Sequence, residues 1–336
     1  MNRCRAMNCL GLVLTLVGLA STMTGCETNA ATGRPQYLRY NRDEEIQLGS
    51  EATPELTKEY GGKVANPELQ AYVTGIGQRL SQQTEADNPT LPWEFTLLDS
   101  DVINAFALPG GKVFFSRGLA EKMTNEAQMA AVLGHEIGHV TGKHTNARIG
   151  KQVATVGTAA ILGGIIGASV TKDRTTGAAV GAGAGAAAGS VFALSYSRED
   201  ELEADRLGMR YMERLGYDPR GAIQVQEILG RESGGKAPPE MLSTHPASST
   251  RVAELEKRYK KYYAEKAASM TYSFYEDRFR AQFLAKLPAK KQTRATTARE
   301  MLAGAAMRGE GGSISLGDPS RWCWHCAAEA EASPSR

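Results

Sequence analysis

Histidine and cysteine are both scarce in this chain, with 5 of each among 336 residues. With so few histidines, a regular spacing among them carries information. An excess of one charge is lacking too: 39 Lys and Arg face 37 Asp and Glu, for a formal net charge of +2. That balance gives no electrostatic support to a nucleic-acid partner. The composition is otherwise that of an ordinary globular protein, 42% hydrophobic and 23% charged, and the length holds one large domain or two modest ones. Glycine, in contrast, is plentiful at 36, and much of it crowds into one segment.

The first residues read as an address. Arg3 and Arg5 precede the apolar run L-G-L-V-L-T-L-V-G-L-A at 10–20, which is too short to span a bilayer comfortably and has the layout of a secretory signal over 1–25. The run leads to M-T-G-C, residues 23–26, which resembles a bacterial lipobox. By that likeness Cys26 is lipidated and becomes the first mature residue. Met23 departs from the usual leucine, and an ordinary cleaved signal with a chance cysteine is the plainer alternative. Glu27 is not the aspartate associated with inner-membrane retention, so the expected place is the outer membrane, on its periplasmic face. Residues 26–42 are expected to be a tether. Cys4 and Cys9 leave with the signal, and only Cys323 and Cys326 remain. A pair in an oxidising compartment closes on itself. The surrounding W-C-W-H-C could instead hold a metal with His325, but a lone C-x-x-C lacks the second half of a zinc knuckle.

Residues 43–48 and 67–80 have helical spacing, and in the second Leu69, Val73, Ile76 and Leu80 share a face. W-E-F-T-L-L at 93–98 alternates as a strand. I-N-A-F-A-L-P-G-G-K-V-F-F-S at 103–116 gives a hairpin signal around Pro109-Gly110-Gly111, and Pro109 favours a sheet edge for its strand. Asn125-Glu126-Ala127-Gln128 has capping-box form and opens a largely buried helix. The segment 153–197 is Gly/Ala-rich and uncharged apart from Lys172-Asp173-Arg174. Its length permits two membrane crossings; a mobile cover over a neighbouring site is the favoured reading. Residues 197–215 form a charged amphipathic helix with Gly216 as its C-cap. Pro219 opens another helix, 233–239 is a loop, and Ser248-Ser249-Thr250 cap a last long helix. The chain over 286–336 is read as a disordered tail.

One stretch carries chemistry: G-H-E-I-G-H-V-T-G-K-H at 134–144. His135 and His139 stand four apart, so on a helix they share a face and can grip one ion together. Glu136 lies beside them, placed to touch a water rather than the ion. A catalytic zinc takes three protein ligands and leaves one position open. His144 falls one residue short of the ten-residue spacing of metzincins. If the helix simply continues, nine positions carry His144 about half a turn away from His135, so it is expected to be structural. The third ligand is then sought downstream. In R-E-D-E-L-E-A-D-R at 198–206, Glu201 and Asp205 share a helical face while Glu203 is turned nearly opposite. Glu201 is the expected ligand, and Asp205 the group that accepts a ligand histidine's outer N–H.

H-E-I-G-H, E-L-E-A-D-x-x-G at 201–208 and N-A-F-A-L-P-G-G at 104–111 together resemble the HtpX/BepA-like zinc metallopeptidases (metallopeptidase family 48, gluzincins), a family that includes prenyl-protein proteases. The likeness runs from about Asp43 to about Lys260. It implies an α+β, mainly helical zincin-like domain over 43–285, with a small β-sheet and hairpin at the active-site edge and one zinc ion. The family's E-x-x-x-D falls on Glu201 and Asp205, and its H-P-x-x-x-x-R on His245-Pro246 and Arg251. By that likeness His245 sits over the zinc, either stabilising the transition state or guarding the open position, and Arg251 belongs to the same catalytic element. No tetratricopeptide-like repeat follows the domain, a departure that touches partners rather than chemistry.

The expected reaction is peptide hydrolysis with Glu136 as general base. An extended substrate would add to the strand of Asn104, Ala105, Phe106 and Ala107, which suits unfolded or misfolded envelope proteins. The expected associations are those substrates, the membrane through the lipid anchor, and the outer-membrane assembly machinery. Two alternatives stand beside this: a chaperone-like assembly factor with a shut site, and an integral-membrane protease resting on the Gly/Ala segment.

Overall fold

The structure is a computed structural model that describes residues 26–156, 195–234, 239–245, 249–269 and 272–288. The expectations for the signal segment, for most of the Gly/Ala segment, for Pro246 and Ser248, and for the tail with Cys323, His325 and Cys326 fall outside these residues.

The chain enters through strands β1 (Cys26–Thr28) and β2 (Pro35–Tyr37), which pair antiparallel. Helix α1 (Arg42–Glu59) starts with a reciprocal cap, because the Asn41 side chain takes the Glu44 N–H while the Glu44 carboxylate takes the Asn41 N–H. Helix α2 (Pro67–Ser81) begins with Asn66 as cap and proline in its first turn. Its stripe of Leu69, Val73, Ile76 and Leu80 is buried as the spacing predicts. Strands β3 (Glu94–Leu98), β4 (Ala105–Leu108) and β5 (Lys112–Ser116) form a sheet in the order β3-β5-β4, with β3 parallel and β4 antiparallel to β5. The strand before Pro109 is therefore an edge strand, as expected. Gly110 and Gly111 make the turn at φ of 74° and 86°, a region that glycine enters without steric cost.

Helices α3 (Arg117–Ala120), α4 (Glu126–Thr141), α5 (His144–Val156), α6 (Arg198–Arg214), α7 (Arg220–Ser233), α8 (Met241–Thr244), α9 (Ser249–Tyr262), α10 (Ala264–Ser269) and α11 (Glu276–Gln282) complete the described part. The result is mainly helical α+β. No helix among the described residues is long and apolar enough to cross a membrane.

Helix α4 is the axis of the core: every residue in it except Val140 is buried. It packs against α2, α6, α7 and the edge strand β4, and its Met129, Val132, Leu133 and Ile137 join Leu69, Val73, Phe95, Leu97 and Tyr211 in one cluster. Each such side chain contributes about 1.5–3 kcal/mol on burial. Against α6 the contact is backbone on backbone. A Cβ added at Gly138 would lie 2.9 Å from the Ala204 carbonyl oxygen, and one at Gly208 would lie 2.9 Å from the His135 nitrogen. Gly134 meets Gly208 in the same seam, where a Cβ would come within 3.2 Å of the Gly208 Cα. Glycine is needed here because the helices touch without side chains between them.

The start of α4 is also fixed by charge. Glu126 is buried, yet it accepts hydrogen bonds at 2.5 Å from both Tyr72 and Tyr217 and at 2.5–2.6 Å from Arg278. A buried carboxylate so fully partnered avoids the cost of an unpaired polar group, and it ties α11 to α4. The segment expected as a tether is docked instead of free. Asn29 donates to the Thr141 carbonyl at 2.9 Å and Gln36 to the Gly142 carbonyl at 2.6 Å. These are carbonyls at the end of α4 that have no partner within the helix. The correction has a simple cause: the polar side chains of this segment find acceptors on the domain.

Candidate metal centre

Two helices and one short turn bring the donors together. Asn125 caps α4 by accepting the Gln128 N–H. The reciprocal arm of the expected box goes one residue further out, from the Thr124 N–H to the Gln128 side chain. From this helix His135 and His139 project side by side, with their Nε2 atoms 3.0 Å apart. Ser197 caps α6 in a reciprocal box with Asp200, and one turn in, Glu201 reaches the pair. Its carboxylate lies 3.5 Å from His135 Nε2 and 3.4 Å from His139 Nε2. Helix α8 ends at His245, whose Nδ1 stands 2.9 Å from Glu201 and 3.3 Å from His135 Nε2. The donor atoms of His135, His139, Glu201 and His245 all lie within 4.8 Å of one another, and all four residues are buried.

This donor set fits a metal ion. Three imidazoles and a carboxylate are an N/O set of the kind that zinc accepts in tetrahedral geometry. The two Nε2 atoms facing each other at 3.0 Å are both natural acceptors, and a cation between them would satisfy both. Burial opposes the charge on Glu201, but the imidazoles of His245, His135 and His139 hold it well below the usual carboxylate range. Burial likewise, with His135 and His245 as neighbours, keeps the His139 imidazole well below its ordinary value, in the neutral form that a ligand requires. At His135 burial is outweighed by Asp205 and Glu201, which push it up to about 10.

Glu136 is fully buried beside the set, and neither of its carboxylate oxygens has a hydrogen-bond partner among the described residues. His245 Nε2 stands 3.6 Å from its Oε1. Burial lifts its carboxyl above the ordinary range, with His245 and His135 pulling the other way.

Behind the donors, Asp205 Oδ1 stands 2.9 Å from His135 Nδ1, the position expected for it. Arg251 grips Asp205 with Nε at 2.9 Å and Nη2 at 2.7 Å, and reaches Glu201 with Nη1 at 2.5 Å. Arg251 is thus a brace for two carboxylates, set behind them and not in the donor group. His144 lies outside the four-residue group as well, but not for the reason the helical spacing suggests. The helix does not continue. Lys143 turns the chain at φ 53°, α5 restarts at His144, and the His144 ring folds back to meet His139, Nδ1 to Nδ1 at 2.9 Å.

Among the expected substrate-strand residues, Ala105, Phe106 and Ala107 lie in the edge strand. Asn104 precedes it, and its amide donates to Glu240 at 3.0 Å. Met241 N–H also bonds to the Ile103 carbonyl at 3.2 Å, so the segment carrying His245 is pinned to the strand's entrance. Tyr196 escaped the sequence reading. Its ring stacks on His139 with centroids 3.9 Å apart and its hydroxyl meets Thr145. The one available signal was an aromatic immediately before the cap of the helix that carries Glu201.

Comparison with known proteins agrees with this geometry. The profile of peptidase family M48 matches residues 67–259, more than half of the chain. A beta-barrel assembly-enhancing protease from Escherichia coli K12 is 32% identical over 196 residues, 58% of this chain and 40% of its own length. The mitochondrial metalloendopeptidase OMA1 of Arabidopsis thaliana is 34% identical over 161 residues, 48% of this chain and 30% of its own. A mitochondrial OMA1 metalloendopeptidase from Danio rerio is 29% identical over 264 residues, covering 75% of this chain and 55% of the relative. The chain therefore spans about two fifths of the length of the bacterial relatives it matches. With the profile covering both donor helices, and with the donors converging where that profile lies, this chain belongs to peptidase family M48.

Proposed function

We propose that this protein is a zinc-dependent metalloendopeptidase that cleaves unfolded or misfolded proteins of the bacterial envelope. The single observation carrying this reading is the convergence of four buried donors beside a buried, unpartnered Glu136. His135, His139 and Glu201 would hold zinc, which when bound acidifies a water and polarises a carbonyl. Glu136 would accept the water's proton on its free carboxylate and return it to the departing amide nitrogen. Burial favours this role, because a carboxylate with raised proton affinity is a better base. Asp205 and Arg251 hold His135 and Glu201 in place. A substrate strand would add to the outer edge of β4 by main-chain hydrogen bonds, which tolerate many sequences.

His245 supplies a fourth donor, and a set of four leaves no open position. We read this as a resting form in which His245 guards the site and must withdraw with α8 before hydrolysis. The same closure is what favours the rival reading, an assembly factor that grips clients with its site shut. Lipidation at Cys26, the outer membrane as location and the outer-membrane assembly machinery as partner belong to the proposal too. The names of the bacterial relatives support that direction.

The test joins metal analysis with casein hydrolysis, with and without a chelator. The wild type should hold one zinc and lose activity on chelation. Glu136→Gln should keep the zinc and lose about 10²–10⁴-fold in rate, while His245→Ala should raise basal hydrolysis. Hydrolysis by Glu136→Gln at the wild-type rate would sink the proposal. A His245→Ala protein that still does not cleave would favour the rival.

A further inference from the structure

The two ion-facing histidines need their protons on Nδ1, since Nε2 of each points into the donor group. For His135 the carboxylate that faces Nδ1 is Asp205, 2.9 Å away. For His139 the neighbour at Nδ1 is another imidazole, His144, at 2.9 Å. An imidazole can donate or accept at that atom, so by itself it fixes nothing. The other end of His144 removes the ambiguity. Its Nε2 lies 3.1 Å from Glu203 Oε2, and an ionised carboxylate only accepts. Glu203 in turn faces Arg34 at 2.7 Å and Arg206 at 3.2 Å. An imidazole with its one proton on Nε2 accepts at Nδ1, and the His139 proton then stays on Nδ1. The opposite polarity would put a proton on His139 Nε2, in the place of the ion.

We infer that His144, Glu203 and Arg34 form a relay that fixes the tautomer of His139, making the N-terminal hairpin part of the metal site. His144 and Glu203 are positioning residues acting through His139. Arg34 lies between β1 and β2, outside the family-matched residues 67–259, and also contacts Asp200 at 3.1 Å. Two further features serve this placement. Lys143 turns the chain back at the end of α4, and Gly142 leaves the space that the ring needs, since a Cβ there would collide with His144 Nε2. His144 itself is 1% exposed.

The inference rests on zinc being held by His135, His139 and Glu201, and its test separates the two. Zinc affinity is measured by chelator competition on the full chain, together with the melting temperature of the zinc-free protein. Second-layer partners of ligand histidines are worth about 10–100-fold in metal affinity, so His144→Leu should weaken zinc by about that factor. His144→Asn, whose side-chain oxygen can accept from His139, should recover most of the loss. Arg34→Met, a change at a partly exposed side chain, should weaken zinc less, and only while His144 is present. Zinc affinity in His144→Leu within about twofold of wild type, well short of that factor, overturns the relay. So does an Arg34→Met effect of equal size in the His144→Leu background, or a lowered melting temperature with affinity unchanged. Should the wild type bind no zinc, the reading of the site itself fails instead.

Discussion

His135 and His139 are interchangeable in the motif but not in the molecule. Behind His135 stands a charge pair: Asp205, clasped by Arg251. Behind His139 stands a second imidazole, with Glu203 and Arg34 beyond it. The first backing is drawn from within the family-matched stretch, and the second reaches out to the N-terminal hairpin. The difference predicts different failures. Losing Asp205 breaks a buried charge pair with Arg251, whereas losing His144 leaves Glu203 still paired with two arginines.

The largest effect should therefore come from Asp205→Ala. It removes the carboxylate that takes two hydrogen bonds from Arg251, itself 2% exposed. Breaking a buried pair in this way costs about 3–5 kcal/mol, read from the denaturant midpoint, and zinc should weaken alongside. His144→Leu should move zinc affinity with far less change in stability, and equal melting of the two variants would break the comparison. Gly138→Ala comes next. Its methyl would press on the Ala204 backbone, and overpacking of this kind costs about 1–3 kcal/mol. Because the pressure spreads the helices that carry both histidines and Glu201, zinc affinity should fall whichever backing is intact.

The smallest effect concerns Glu45 of α1, near the turn that brings His144 back. Burial raises its carboxyl to about 7 from an ordinary 4.5, with Lys143 and Asn146 pulling the other way. Between those values the folded form holds a proton that the unfolded chain has released, so stability falls as pH rises from about 4.5 to about 7. Glu45→Gln should flatten that slope and make the protein more stable at pH 8 by on the order of 1–2 kcal/mol. A slope unchanged by the substitution would remove Glu45 from the account.

Much of this arrangement was legible in the residues because local rules and tertiary structure agree. The capping-box form at Asn125 and the helical spacing that begins at 67 and 197 all lie at helix starts that the structure keeps. The four-residue spacings place His135 with His139 and Glu201 with Asp205, and α4 and α6 then bring the two pairs into contact. The fold-back of His144 was not legible, since it hinges on Lys143 in the left-handed region, which a lysine does not announce. The N-terminal hairpin was not legible either. Strands of 3 residues are too short for alternation to show, and their docking depends on orphan helix carbonyls far along the chain. His245 and Arg251 came through family resemblance alone, because a loop histidine gives no periodic signal.

The seam of Gly134, Gly138, Ala204 and Gly208 has a consequence for the size of the cation. With the backbones of α4 and α6 so close at this seam, the spread from the imidazole pair to Glu201 behaves like a calliper locked near its narrowest setting. A small ion would suit that gap, while calcium, which takes six to eight oxygens at longer reach, would have to prise the helices apart. Selectivity would then be decided at four positions that never touch the metal.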